Sequence, residues 1–161
     1  MPSILIVCSA NICRSPMAEA ILKHLVANRP DAEEWHIASA GTWARYGAPA
    51  AELSQVVVQE MGMDISSHRS QPVTDALIKQ YDLVLTMERQ HKEGLILQFT
   101  PYAKKIYMIS EMVNRVEDVP DPIGGELTDY QVTANMLQHF LTDGLDKIYQ
   151  LAIRPDIKST I

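Results

Sequence analysis

Ile4, Leu5, Ile6 and Val7 follow one another without interruption near the start of the chain. A short apolar run rich in Ile and Val predicts a strand, here residues 3–7, buried on both faces. From residue 16 to 27 (PMAEAILKHLVA) the apolar positions recur at helical spacing, and Pro16 suits a first helical turn. The same reading predicts strands at 36–40, 83–86 and 106–109, and helices at 50–61, 74–79 and 89–98. A last, long helix is expected from 128 to about 152, with Leu137, Phe140, Leu141, Leu145, Ile148 and Leu151 as its core-facing stripe. Strands alternating with helices imply an α/β fold: a four-stranded parallel sheet with helices on both faces. Residues 1–155 are expected to form one domain and 156–161 a frayed C-terminal tail.

Composition narrows the class. With 161 residues and 47% hydrophobic content, the chain suits one domain around one core. It shows no repeat, low-complexity tract or linker. Nothing approaches the roughly 18 apolar residues of a membrane span, and the ILIV run lacks the basic flank of a signal peptide. A soluble, cytoplasmic protein is expected, without a membrane partner. The formal net charge of −6 gives no basic footprint for nucleic acid. The two cysteines, Cys8 and Cys13, are too few for a secreted disulfide framework, so reactive thiols are expected in a reducing compartment.

Both cysteines fall in VCSANICRSP, the link between the first strand and the first helix. In open α/β sheets ligands bind at the carboxyl ends of strands. Backbone N–H groups curling into a helix N-terminus make a nest for an oxyanion of phosphate size. The residues that would hold it are Ser9, Ala10, Asn11, Ile12, Cys13 and Arg14, with Arg14 offering a planar fork for two oxygens. Cys8, at the strand end in the same positive field, is placed as a nucleophile beneath a bound phosphoryl group. A Walker A loop would need Gly and Lys, a thioredoxin motif would space its cysteines differently, and zinc would need more ligands. No metal or organic cofactor is expected. A phosphoryl enzyme also needs an acid and then a base. Asp121, in the stiff and open segment VPDPIGG after the last predicted strand, is the candidate.

These residues resemble the low-molecular-weight protein tyrosine phosphatases over nearly the whole chain. VCSANICRSPMAEA is similar to that family's active-site loop and first helix, SAGT at 39–42 to its second strand end, and GMDISSHRS to its middle segment. DLVLTM matches its third strand and Asp121-Pro122 its acid loop. The resemblance implies a flavodoxin-like sheet and hydrolysis of phosphomonoesters through a phosphocysteine. Cys8 is then the nucleophile, Arg14 the phosphate ligand and Asp121 the general acid and base. Ser15 bonds the sulfur, and Asn11, Ser39 and His68 support the loop. Phosphorylated proteins are the implied partners, and a monomer is expected.

The chain departs from the family at two places. Ala10 replaces a usual Gly, so that position is expected to avoid positive φ. Ile123 replaces an aromatic residue that walls the substrate ring in many members, and Trp43 matches the opposite wall. Phosphotyrosine is the favoured substrate. Ile12 carries that choice, because the phosphoarginine branch of the family has Thr there, although Gly124, Gly125 and Tyr130 resemble that branch. An arsenate reductase would need further cysteines after Cys13, and a non-catalytic phosphopeptide-binding module would not need Cys8 and Asp121. Cys13 beside Cys8 suggests redox sensitivity through a reversible disulfide.

Overall fold

The structure, a computed structural model, describes residues 1–154. The expected tail at 156–161, and residue 155 that closes the expected domain, lie outside the described residues. Strand β1 (Ser3–Cys8) is flanked by β2 (His36–Gly41) and β3 (Leu83–Thr86), and β4 (Ile106–Met108) pairs with β3. All pairings are parallel and the sheet order is β2-β1-β3-β4. Helices α1 (Arg14–Val26), α2 (Glu52–Glu60), α3 (Asp75–Lys79), α4 (Arg89–Gln98), α5 (Leu127–Asp143) and α6 (Leu145–Ala152) complete one α/β domain.

Every residue of β1 is buried, which explains its unbroken apolar run. Successive side chains leave a strand on opposite faces. Ile4, Ile6 and Cys8 therefore share one face, packed with Met17 and Ile21 of α1 and Leu137 and Phe140 of α5. Leu5 and Val7 share the other, with Ile78 of α3, Leu95 of α4, Phe99 and Ile106. The chain runs from β1 to one neighbour, β2, and returns to the other, β3. The carboxyl ends of β1 and β3 meet where this winding reverses, the place such sheets use for ligands. Among the described residues no helix is long and apolar enough to cross a membrane.

The expected strands agree with the observed ones to within a residue, and α4 covers its expected span. Helix α1 starts at Arg14, two residues before Pro16, where a first-turn proline still has no intrahelical donor to lose. One expectation is corrected: the single helix over 128–152 is two helices, divided at Gly144. Gly144 leaves helical geometry at φ −93° and ψ 2°, while its N–H still donates to Phe140 O at 2.9 Å. A Cβ there would lie 2.6 Å from Met112 Cβ and 2.6 Å from Phe140 O. Only a residue without a side chain lets Met112 approach the junction, and the apolar stripe continues after a change of axis.

Gly144→Ala is therefore expected to destabilise the fold by about 1–3 kcal/mol. Thermal unfolding should show a fall of about 2–4 °C for each kcal/mol lost. An unchanged midpoint would mean that the Met112 contact does not require glycine.

Candidate active site

Beyond Cys8 the chain turns through Ser9 to Cys13 into α1. The loop's carbonyl groups are held from outside. Cys8 O accepts from Thr42 N–H at 2.9 Å, Ser9 O from Trp43 N–H at 2.8 Å and Ile12 O from Ala51 N–H at 2.8 Å. Asn11 O accepts from His68 Nε2 at 2.7 Å, which fixes the proton of His68 on that nitrogen. Across a trans peptide the C=O and the following N–H point in opposite directions, and no cis bond occurs among the described residues. The N–H groups of Ser9, Ala10, Ile12 and Cys13 consequently face the inside of the loop. There they surround a cleft of about 70 Å³ lined by Cys8, Ala10, Ile12, Cys13, Arg14, Asp121 and Ile123. This is an anion nest at a helix N-terminus.

The loop owes its shape to Asn11, which is fully buried and carries a positive φ of 58°. Asn tolerates this left-handed conformation better than most residues. Its side chain makes three bonds that keep it there: Nδ2 donates to Ser15 Oγ at 2.7 Å and to Ser39 Oγ at 2.9 Å, and Oδ1 accepts from Gln71 N–H at 3.0 Å. Ser39 Oγ in turn donates to Glu19 Oε1 at 2.6 Å. Ser15, already accepting from Asn11, lies 2.9 Å from Cys8 Sγ and has its proton free for the sulfur, with Ala40 O farther away at 3.5 Å. Ala10 has no positive φ, so the replacement of glycine there carries no backbone strain.

Arg14 is 1% exposed. Its Nη1 donates to Glu88 Oε2 and to Val119 O, both at 2.7 Å, while Nη2 lies 3.4 Å from Asp121 Oδ2 and from Ser9 Oγ. Its Nε has no hydrogen-bond partner among the described residues, and Arg14 lines the cleft, so this donor suits an incoming anion. Asp121 is held from the other side: Oδ1 accepts from Ile123 N–H at 3.1 Å. Burial alone would push Glu88 up, but the hydrogen bond and charge of Arg14 outweigh it and hold its carboxyl below the ordinary carboxylate value. His91 accepts from Glu88 N–H at Nδ1 (3.2 Å), so its Nε2–H donates to Ser9 Oγ at 2.8 Å. Burial, opposed by the charge of Glu88, moves His91 below its ordinary value, consistent with a neutral ring.

The structure brings Cys8, Arg14 and Asp121 to one cleft and Asn11, Ser15, Ser39 and His68 to one network behind it. Ile12 and Ile123 form two aliphatic walls, whereas Trp43, expected as the opposite wall, does not line this cleft: it is 88% exposed and lines a neighbouring groove instead. Cys13 is buried and unpaired, its sulfur 3.7 Å from Tyr130 Oη. Burial raises the Cys13 thiol, and Tyr130 is pushed up to about 12, first by burial and then by Cys13. Sequence reading missed Glu88, His91 and Glu19. Glu88 had a usable signal, since it follows DLVLTM at the carboxyl end of β3, the same edge as Cys8. Glu19 and His91 carried none, because their partners lie 20 and 82 residues away. Among the described residues, no group of three His, Cys, Asp or Glu side chains is placed to hold a metal ion.

The loop, the buried arginine and the facing aspartate have the arrangement expected of a cysteine-based phosphatase site. The chain belongs to the low molecular weight phosphotyrosine protein phosphatase family, whose model matches residues 3–150. A protein-arginine-phosphatase of Bacillus subtilis is 36% identical over 139 residues, covering 86% of this chain and 91% of that protein. A probable low molecular weight protein-tyrosine-phosphatase, EpsP, of Ralstonia nicotianae is 34% identical over 136 residues, covering 84% and 88%. Among solved structures, the low molecular weight protein tyrosine phosphatase of T. tengcongensis superposes with a TM-score of 0.85 at 38% identity, over 91% of this chain and 99% of the other.

Glu88→Gln should destabilise the protein by about 1–3 kcal/mol at neutral pH, because it leaves the buried Arg14 cation without its nearest counter-charge. A carboxyl held below its unfolded value contributes stability that is complete above that value, about 4.3, and lost as pH falls through the lower folded one. The gap between wild type and Glu88→Gln, measured by denaturant unfolding, should therefore narrow on acidification below about pH 4. A gap independent of pH would show that the Glu88 charge does not stabilise Arg14.

Proposed function

We propose that the protein hydrolyses phosphotyrosine in phosphorylated cytoplasmic proteins through a phosphocysteine. The observation that carries this reading is the single cleft shared by Cys8, Arg14 and Asp121 inside a loop whose N–H groups face inward. The bound phosphoryl oxygens take up the loop N–H groups and the Arg14 fork. The Cys8 sulfur attacks phosphorus, forming an S–P bond as the P–O ester bond breaks, and the leaving phenolic oxygen takes its proton from Asp121. Water then attacks phosphorus, Asp121 takes the water's proton, the S–P bond breaks, and phosphate departs with Cys8 restored as thiolate. The Ser15 hydroxyl, 2.9 Å from the sulfur, stabilises its negative charge as it leaves. The loop is held by Asn11, Ser39 and His68 before substrate arrives, so its dipoles need no rearrangement as charge develops.

The Bacillus relative favours a second reading, hydrolysis of phosphoarginine. The walls of this cleft argue for the phenyl ring. Ile12 and Ile123 both line it, and an aliphatic wall desolvates a guanidinium's N–H groups without offering an acceptor, a penalty of roughly 1–3 kcal/mol. Turnover of phosphotyrosine, phosphoarginine and phosphoserine peptides tests the reading. Phosphotyrosine should exceed phosphoarginine by at least about tenfold in kcat/KM, phosphoserine should fail to reach the sulfur, and Ile12→Thr should narrow the gap. A wild-type preference for phosphoarginine would move the protein to the second reading.

The role of Asp121 has its own test. Asp121→Asn should slow aryl phosphates with poor leaving groups more than those with good ones, since a stable phenolate needs less help from a proton. Equal slowing across a leaving-group series would remove Asp121 as the acid. Cys8→Ser should abolish turnover while still binding inorganic phosphate, because the loop and Arg14 remain.

A further inference from the structure

Next to the reaction cleft lies a second, larger one. It measures about 320 Å³ and runs between Trp43 and the face of α4 that carries His91 and Leu95, with Ser9, Gln90, Gly94 and Gln98 also among its lining residues. Ser9 separates the two: its chain neighbours Cys8 and Ala10 line the reaction cleft, while Ser9 itself lines this groove. The groove thus adjoins the cleft that receives the phosphorylated side chain, on the far side of Ser9.

Three observations describe what it accepts. First, none of its lining side chains carries a charge, since His91 is held neutral by donating Nε2–H to Ser9 and accepting Glu88 N–H at Nδ1. Second, Ser9 Oγ accepts from His91 at 2.8 Å and faces Arg14 Nη2 at 3.4 Å, so its own proton remains available to an acceptor in the groove. Gln90 likewise spends an N–H on Glu88 Oε1 and keeps its carbonyl oxygen. Third, Gly94 sits within α4 although a Cβ there would meet nothing within 4 Å, and its φ is not positive. A helical glycine with neither a packing nor a backbone reason costs helix stability. Its effect here is to leave the side of the groove open.

We propose that this groove is a second substrate subsite, which takes an uncharged side chain next to the phosphorylated residue against Trp43 and the Gly94 face of α4. The proposal rests on the phosphotyrosine reading. A charged neighbour would be desolvated there with no counter-charge among the groove's lining residues, whereas an amide or aliphatic one loses little. Selectivity arises from the neutral walls and free hydrogen-bonding groups, and the phosphoryl chemistry is unaffected.

Gly94→Phe puts a ring into the groove from a Cβ position with nothing within 4 Å, and Gly94→Ala changes the helix without filling the groove. The experiment measures kcat/KM of wild type and both variants on para-nitrophenyl phosphate and on phosphotyrosine peptides carrying Gln, Leu, Glu or Lys on either side. Wild type should prefer Gln and Leu over Glu and Lys at one flanking position by about tenfold. Gly94→Phe should lose at least about tenfold on the Gln and Leu peptides and erase that preference. Para-nitrophenyl phosphate should stay within about twofold, which also verifies folding, and Gly94→Ala should behave as wild type. Equal loss on both substrate types, unchanged peptide kinetics in Gly94→Phe, or wild-type indifference to the neighbours would each overturn the subsite while leaving the phosphotyrosine reading intact. Wild-type failure on all phosphotyrosine peptides, with para-nitrophenyl phosphate still turned over, would overturn both.

Discussion

A guanidinium almost wholly withdrawn from water is the constraint around which this site is organised. Arg14 needs compensation that its own helix cannot supply. The compensation comes from Glu88 beyond β3 and from Val119 O and Asp121 beyond β4. The cation therefore joins three segments that are distant in sequence and adjacent only because β1, β3 and β4 end at one edge of the sheet. The same bonds aim Arg14 into the cleft and hold the candidate acid above it. Stability and chemistry draw on one set of contacts, so the fold cannot relax the arginine without also dispersing the site.

Behind the loop a second network works on the backbone instead of on charge. Asn11 adopts a conformation that costs energy in isolation, and its three side-chain bonds, together with His68 on its carbonyl, return that cost as rigidity. Glu19, Ser39 and Gln71 extend this support into α1, β2 and the segment after His68. Gly41 matters for the same reason, since a Cβ there would lie 3.0 Å from Asn11 N and closer still to Ser9 O.

The sheet and the candidates Cys8, Arg14 and Asp121 were legible in the sequence because they follow local rules, whereas the supporting roles of Asn11, Ser15, Ser39 and His68 were expected only through the family resemblance. A fully buried strand reads as an apolar run, and a strand-loop-helix with Cys, Arg and Pro at fixed offsets reads as an anion nest. Asp121 was legible through the stiffness of its Pro and Gly neighbours. Glu19 and His91 escaped because their partners are set by tertiary contact, and an isolated acidic or histidine residue on a helix has the pattern of a solvated face; Glu88, just past β3, had a signal that went unused. The break at Gly144 escaped for a related reason: the apolar spacing of α5 continues in register through α6, and only the approach of Met112, from outside that helix, divides them. Trp43 is fully legible as an aromatic residue, but its exposure beside a neighbouring groove, away from the reaction cleft, is a property of the fold and not of its neighbours in sequence.

The position of Cys8 on β1 has a consequence for how this chain tolerates change. The sulfur belongs to the face shared by Ile4 and Ile6, and Val7 belongs to the opposite one. Side-chain direction in a strand has a period of two, so what matters in β1 is parity. Volume changes at Ile4 or Ile6 leave the thiol pointing the same way. Inserting or deleting a single residue between Ser3 and Cys8 would exchange the faces, putting a core side chain beneath the loop and the thiol against α4. Descendants of this sequence can therefore drift freely in the composition of β1, within the limits of packing, but its length is held to a frame as strict as that of a codon.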